Sequence, residues 1–390
     1  LINCKSADKK QEEEDKIDTF QPIMDFSNFL LIVLKLTRIE EKCFDPTSFN
    51  LDDKELINEF NKVKVVDEKF VKKFGFNLLK AKFLLDNHLV HHSNDDDTIE
   101  NNPWKLQYWQ KDGKKEYLKN LAGESDDEQN KLVQLLSMFE VSFTARQRKN
   151  YLFYCLQYLF RSDADDYSEY YKFLLGLAEK YFKGVYLVAE NLNEINTPKP
   201  GSFDNTIIKN NALDIAPSND KIDFIAIYGD GTAKSKGIPL FVFNYLDYKL
   251  WEKYYVELRG EKTKEGGKER TDFFASLGCD DFGLKVFEQF YFSRTRRSLE
   301  HYYPQANANG EKGAANEEQI NCLGNYAMIG SEANSSGSNW SPKTKLDHYL
   351  DASGKIKQIS VASIKFMIMM QKCKDNQNSR GAGEEWNYDD

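Results

Sequence analysis

The sequence predicts a mainly α chain with an α+β C-terminal part. Three observations carry this. From about residue 20 to 195, Leu, Phe and Tyr recur at three- and four-residue steps with a polar reverse face, the pattern of packed helices. Residues 196–235 are rich in Pro, Asn, Asp and Gly, which marks a boundary. Beyond residue 290 an extended segment, a second strand and a helix start follow one another. The expected division is a flexible charged N-terminus (1–18), a helical domain (19–195), an α+β domain (196–375) and a flexible tail (376–390).

In order, "FSNFLLIVLKLTRIEE" opens the helical array, with Ser27 as its expected N-cap. Its apolar core, "FLLIVLKL", is too short to span a membrane and contains Lys35, so it reads as a buried helix. "DDKELINEFNKV", "DEKFVKKFGFNLLKAKFLLDNHLV", "DDEQNKLVQLLSMFEVSF", "RQRKNYLFYCLQYLF" and "SEYYKFLLGLAEKYFKGVYLVAE" follow with the same period. "HHSNDDDTIENNPWKLQYW" breaks it and reads as a loop leading to a short strand or turn. His91, His92, Asp95, Asp96 and Asp97 there read as a solvated acidic loop, since adjacent side chains rarely converge on a metal. "FIAIYGDG" has strand character, and its glycines match neither phosphate-loop spacing. "IPLFVFNYLDYKLWEKYYVELRG" reads as a core helix, and residues 261–272 as a charged loop. His88 is expected in the core and His348 on a surface helix.

Hydrophobic content of 41% supports sizeable cores across two or three domains. A net charge of −9 argues against a protein that coats nucleic acid non-specifically, but leaves room for a local site. The six cysteines are scattered without a CxxC pair, which argues against structural zinc and for reduced thiols in the cytoplasm. No signal-peptide pattern or membrane span is present. The start at Leu1, without an initiator Met, suggests a piece of a longer protein.

The chemistry concentrates in "SRTRRSLEHYYPQ" (293–305) and "QINCLGNYAMIGSEANSSGSNWSPKTK" (319–345). Phosphodiester hydrolysis needs a base that titrates near neutrality, which histidine supplies. It also needs positive charge on the phosphate, which a hard divalent cation supplies through few protein oxygens. Glu300 and His301 are adjacent at a strand end, where neighbouring side chains diverge, and Pro304 turns the chain. "LGNYAMIG" reads as a second strand with Asn325 at its start, and the helix expected after it bears Asn334.

Glu-His-x-x-Pro-Gln, then Leu-Gly-Asn, then an asparagine nine residues later resembles the HNH nuclease core, a ββα-metal or His-Me finger. It looks specifically like the C-terminal nuclease domain of GmrSD-type modification-dependent restriction endonucleases. The Asn325–Asn334 spacing also resembles the HNH domain of RNA-guided CRISPR nucleases. The match covers about residues 285–350, with a less specific likeness in the helical part.

The resemblance implies a metal-dependent DNA endonuclease of a bacterial restriction or phage-defence system, acting on double-stranded DNA, including modified phage DNA. It makes His301 the base, Glu300 and Asn334 the ligands of one Mg²⁺ or Mn²⁺, and Asn325 the residue that ties the finger loop and helps orient the base. Asn339 and Lys343 take substrate or scaffold roles.

Family members begin with a nucleotide-hydrolysing domain carrying an Asp-Gly-Gln-Gln-Arg-like motif. That string is absent here, so either the chain is a C-terminal piece, with such a domain or a partner in its place outside these residues, or the nucleotide-dependent half is absent; nucleotide hydrolysis is not expected of these residues. Arg294, Arg296 and Arg297 are candidates for phosphate contacts or for salt bridges, with Arg294 and Arg296 on one strand face and Arg297 on the other. Seven Lys/Arg against eight Asp/Glu in 281–350 make a near-neutral patch, which fits a nuclease held on DNA by other domains. The alternatives are a regulatory module with a degenerate finger that only binds nucleic acid or a partner, and an RNase using the same finger.

Overall fold

The computed structural model describes residues 23–93, 102–113, 115–122, 126–143, 145–163, 166–188, 190, 198–199, 201–207, 224–228, 237–258, 264–280, 284–304, 320–330, 340–350, 352, 363–381 and 386–387. The described chain is mostly helical, with three two-stranded antiparallel sheets. Among the described residues no helix is long and apolar enough to cross a membrane.

Helix α1 (Phe26–Arg38) is the hub of the N-terminal half. Leu31, Ile32, Val33 and Leu34 are fully buried, so this helix is covered on all sides rather than on one stripe. Its cap is Asp25 and not Ser27, which lies within the first turn, and Asp25 makes no side-chain cap bond. Burial of nearly the whole helix replaces the cap as the source of its stability. Even Lys35 is buried; Asp204 holds it through both carboxylate oxygens at 2.9 Å, and the Phe153 ring lies 4.6 Å away.

Around α1 pack α2 (Leu56–Asn61) and α3 (Glu68–His88), as the helical period predicts. The break after α3 forms two small sheets. Strands β1 (His91–His92) and β2 (Trp104–Lys105) pair, and β3 (Gln107–Asp112) makes a hairpin with β4 (Lys115–Asn120). The tight turn between β3 and β4 places Gly113 at φ 61, a left-handed conformation that glycine adopts without strain. His91 and His92 do not converge on a metal: His91 bonds the Asp86 carbonyl at 2.9 Å, and His92 packs edge-on against Trp104. Asp95, Asp96 and Asp97 lie outside the described residues.

Helices α4 (Asp126–Ser142), α5 (Ala145–Arg161) and α6 (Tyr167–Tyr181) complete the expected array, and α6 runs on into a π turn at Phe182–Tyr186. A short α7 (Ser202–Ile207) follows. "FIAIY" is α8 (Phe224–Tyr228), not a strand. Its β-branched residues suit either form, and packing decides: Ile227 and Tyr228 are buried, and the Tyr228 hydroxyl donates to the Tyr186 carbonyl.

Helix α9 (Leu240–Glu252) is the core helix expected there. The segment predicted as a charged loop at 261–272 instead contains most of α10 (Lys264–Ser276), and α11 (Leu284–Gln289) follows. Strands β5 (Arg296–His301) and β6 (Tyr326–Gly330) form the third sheet. Helices α12 (Pro342–Tyr349) and α13 (Ile364–Arg380) close the described chain. The expected tail boundary at 375/376 falls inside α13, where Asn376 is buried, so residues 376–380 are helix and not tail.

One apolar core runs from Ile23 to Cys373 without interruption at residue 195. The Trp104 indole donates to the Phe292 carbonyl at 2.6 Å, which joins the β1–β2 sheet to the chain entering β5. Five described cysteines stand outside disulfides, three of them buried.

What positions the third sheet is a buried node at Asp247 of α9. Its carboxylate accepts from the Arg296 guanidinium of β5, from the Ser363 hydroxyl at 3.0 Å and from the Lys365 backbone N–H at 2.7 Å. One carboxylate therefore fastens β5 and the N-terminus of α13 to α9. The register of β5 slips between Arg296 and Ser298, leaving Arg297 as the extra residue of a bulge.

Candidate functional site

Beyond the bulge, β5 alternates cleanly. Glu300 is buried, Leu299 is exposed and His301 is half-buried on the outer side. The sequence expectation that Glu300 and His301 diverge is what the pleat produces. His301 pairs across the sheet with Tyr326, and the two rings stand 4.4 Å apart between centroids. The His301 Nε2 lies 2.9 Å from the Asn321 Oδ1, and the Tyr326 hydroxyl donates to the same oxygen at 2.6 Å. Burial pushes the Tyr326 hydroxyl up to about 12.

Asn325 ends a 3₁₀ turn (Leu323–Asn325) immediately before β6. Its Oδ1 accepts the Tyr303 N–H at 2.7 Å; its Nδ2 donates to the carbonyls of Tyr303 (3.0 Å) and Ile320 (2.9 Å). Its own carbonyl accepts the Tyr302 N–H at 2.8 Å. Asn325 thus staples both ends of the loop that leaves β5 and returns to β6. These bonds are those of a residue that ties the loop ends; the side chain that hydrogen-bonds the imidazole is Asn321, not Asn325. Tyr303 and Ile320 pack together, with Trp386 against them, in a small apolar cluster beside this staple.

Glu300 faces inward and meets Lys345 of α12, whose Nζ is 2.6 Å from Oε1. The same ammonium donates to the carbonyls of His301 and Tyr302. Lys345 is 2% exposed and Glu300 5%. Burial pushes the Glu300 carboxyl up, against the pull of Lys345; burial likewise pushes the Lys345 amine down, against the pull of Glu300. The pair clamps α12 to the end of β5.

The expected metal ligands are Glu300 and Asn334, and Asn334 lies outside the described residues, as does Asn339. Among the described residues no group of three or more His, Cys, Asp or Glu converges as a metal site. A one-metal finger needs only one or two protein ligands, so the question falls on Glu300. Its carboxylate already carries an ammonium held by three acceptors, and in this arrangement it does not fit a divalent cation.

The arginine cluster divides. Arg296 is fully buried against Asp247, so it is a core residue and not a phosphate contact. Arg294 is half-buried in the turn before β5. Arg297 is exposed, as is Lys343 on α12, and both remain open to a ligand. The sequence reading missed Asn321, Tyr326, Lys345 and Asp247. The only sequence signal for Asn321 and Tyr326 is that they flank the Leu-Gly-Asn motif. Compared with known proteins, the chain matches no family model, no curated protein and no solved structure.

Proposed function

We propose that this chain is a DNA endonuclease of the HNH type, working in restriction or phage defence, with His301 as the general base. The observation that supports it best is the half-buried histidine at a strand end. One ring nitrogen is tied to Asn321, and no hydrogen bond occupies the other among the described residues. A base held through one ring nitrogen by a second side chain, with the other ring nitrogen left for a water, is what water activation requires.

In this reading Nδ1 takes one proton from a water while the water oxygen bonds to phosphorus. The P–O3′ bond breaks, and the 3′ oxygen takes its proton from solvent. Arg297 sits on the outer side of the same strand, about 13 Å from His301 at strand rise, where it meets a neighbouring phosphate. Lys343 supplies a second exposed cation. A divalent ion, Mg²⁺ or Mn²⁺, would neutralise charge at the phosphate; Glu300, held by Lys345, does not fit one in this arrangement, and no step of the proposal runs through it.

The test is His301→Ala in a plasmid-cleavage assay with Mg²⁺ or Mn²⁺. The expected loss is about 10²-fold or more, the usual size of a general-base contribution. Cleavage at the wild-type rate refutes the assignment, and matched RNA substrates separate an RNase. The second reading, a finger that binds without cleaving, draws on the engagement of Glu300 by Lys345. It predicts DNA binding unaltered by EDTA and no cleavage by the wild type.

A further inference from the structure

We propose that Asn321 and Tyr326 lock the tautomer of His301, holding its proton on Nε2 and leaving the Nδ1 lone pair as the base. For its catalytic consequence this rests on the nuclease reading; the lock itself is a property of the resting protein.

The geometry is a convergence on one oxygen. Asn321 Oδ1 lies 2.9 Å from His301 Nε2 and 2.6 Å from the Tyr326 hydroxyl. An amide oxygen has two lone pairs and accepts from both. A neutral imidazole carries one N–H, and facing that oxygen it must lie on Nε2. A proton on Nδ1 instead would set two lone pairs against each other and leave the basic nitrogen facing Asn321.

Tyr326 makes the arrangement one-directional. Its hydroxyl stays protonated until about pH 12, so it remains able to donate to Asn321 across the working range. Its ring also packs on the imidazole. The backbone beneath Asn321 is fixed as well, because Asn325 holds the carbonyl of Ile320, the residue just before it. Cross-strand neighbour, amide and staple thus form one chain of support reaching the base from β6.

Long-range ¹H–¹⁵N correlation spectra of histidine-labelled protein at alkaline pH read the tautomer directly, with His301→Ala identifying the signal. The expected wild-type pattern is a protonated Nε2 and a pyridine-like Nδ1. Asn321→Leu, which fills the space but accepts nothing, should give a mixture of tautomers, and Asn321→Asp, which still accepts, should keep the pattern. Tyr326→Phe should loosen it partly. In cleavage, Asn321→Leu should lower kcat about tenfold or more with KM unchanged, and Asn321→Asp should restore part of the loss.

A wild-type Nδ1–H pattern overturns the proposal, and so does an Asn321→Leu spectrum identical to wild type. If Asn321→Leu fails to fold, the wild-type spectrum and Tyr326→Phe decide. Full cleavage by His301→Ala with the expected spectrum removes the nuclease reading and keeps the lock. A dead His301→Ala without the expected spectrum does the reverse.

Discussion

Lys345 shows how much one side chain carries at this site. Its ammonium answers a buried carboxylate and two carbonyls at once, so removing it leaves Glu300 charged and unpaired in a dry setting. Lys345→Met is therefore expected to cost about 3 kcal/mol or more, read from urea unfolding, as for other broken buried pairs. Glu300→Gln should cost less, because an amide still accepts from the ammonium. Asn325→Ala removes three hydrogen bonds of about 1 kcal/mol each and strands the Tyr303 N–H, so a loss of about 3 kcal/mol is expected. Of these residues the sequence made Glu300, His301 and Asn325 visible as candidates, because a histidine, a carboxylate and an asparagine stand there in the spacing that carries the resemblance. It could not show Lys345 or Asn321. Their importance depends on the direction a side chain takes from a helix turn or a loop, and neighbours such as Lys343 look equivalent in one dimension.

At the scale of elements, the strand–loop–strand unit was legible because two β-prone runs flank a proline and a Leu-Gly-Asn turn. The helix α8 was not, because five apolar residues suit a strand or a helix until their neighbours are known. For Arg296 the sequence leaves phosphate contact and salt bridge open, and only the fold decides for the second: its partner Asp247 lies 49 residues earlier on another element, and local sequence holds no trace of that pairing. Asp247→Ala should destabilise by about 3–5 kcal/mol, since it strips a buried guanidinium of its counter-charge and two further donors of their acceptor. Calorimetry checks this. Arg296→Ala should cost a similar amount while leaving the salt dependence of DNA binding unchanged, whereas Arg297→Ala should reduce that salt dependence with little loss of stability.

For the molecule as a whole, one shared core means that the site's stability is set by residues far from it. Lys365 illustrates the consequence for pH. Its ammonium donates to the carbonyls of Gly324 and Tyr326, and burial pushes its pKa down to about 8 against the pull of Asp247 and Cys322. The unfolded chain keeps that proton up to about pH 10.4. Between these values the unfolded state binds more protons, so stability rises with pH. Lys35 and Lys345, also pushed down by burial, act in the same sense. Above about pH 10 the sign reverses: buried Tyr154, Tyr170, Tyr181 and Tyr248, pushed up by burial, keep protons that the unfolded chain loses. Urea midpoints should therefore increase from about pH 7 to about pH 9 and fall by about pH 11. Lys365→Met should shrink the rise, and a midpoint that only declines from neutrality would contradict the account.

The bulge at Arg297 has its own arithmetic. Arg296 pairs with Gly330 and Ser298 with Ile329, so a single added residue separates two rows that would otherwise be adjacent. Take Arg297 out and regular alternation sends the Arg296 guanidinium to the side of the sheet that bears His301. Asp247 would then keep the Ser363 hydroxyl and the Lys365 N–H but lose its guanidinium, and the outer face would exchange one cation for another. A deletion one codon long would read as a stability defect in the test tube, although the number of charges around the histidine had not changed.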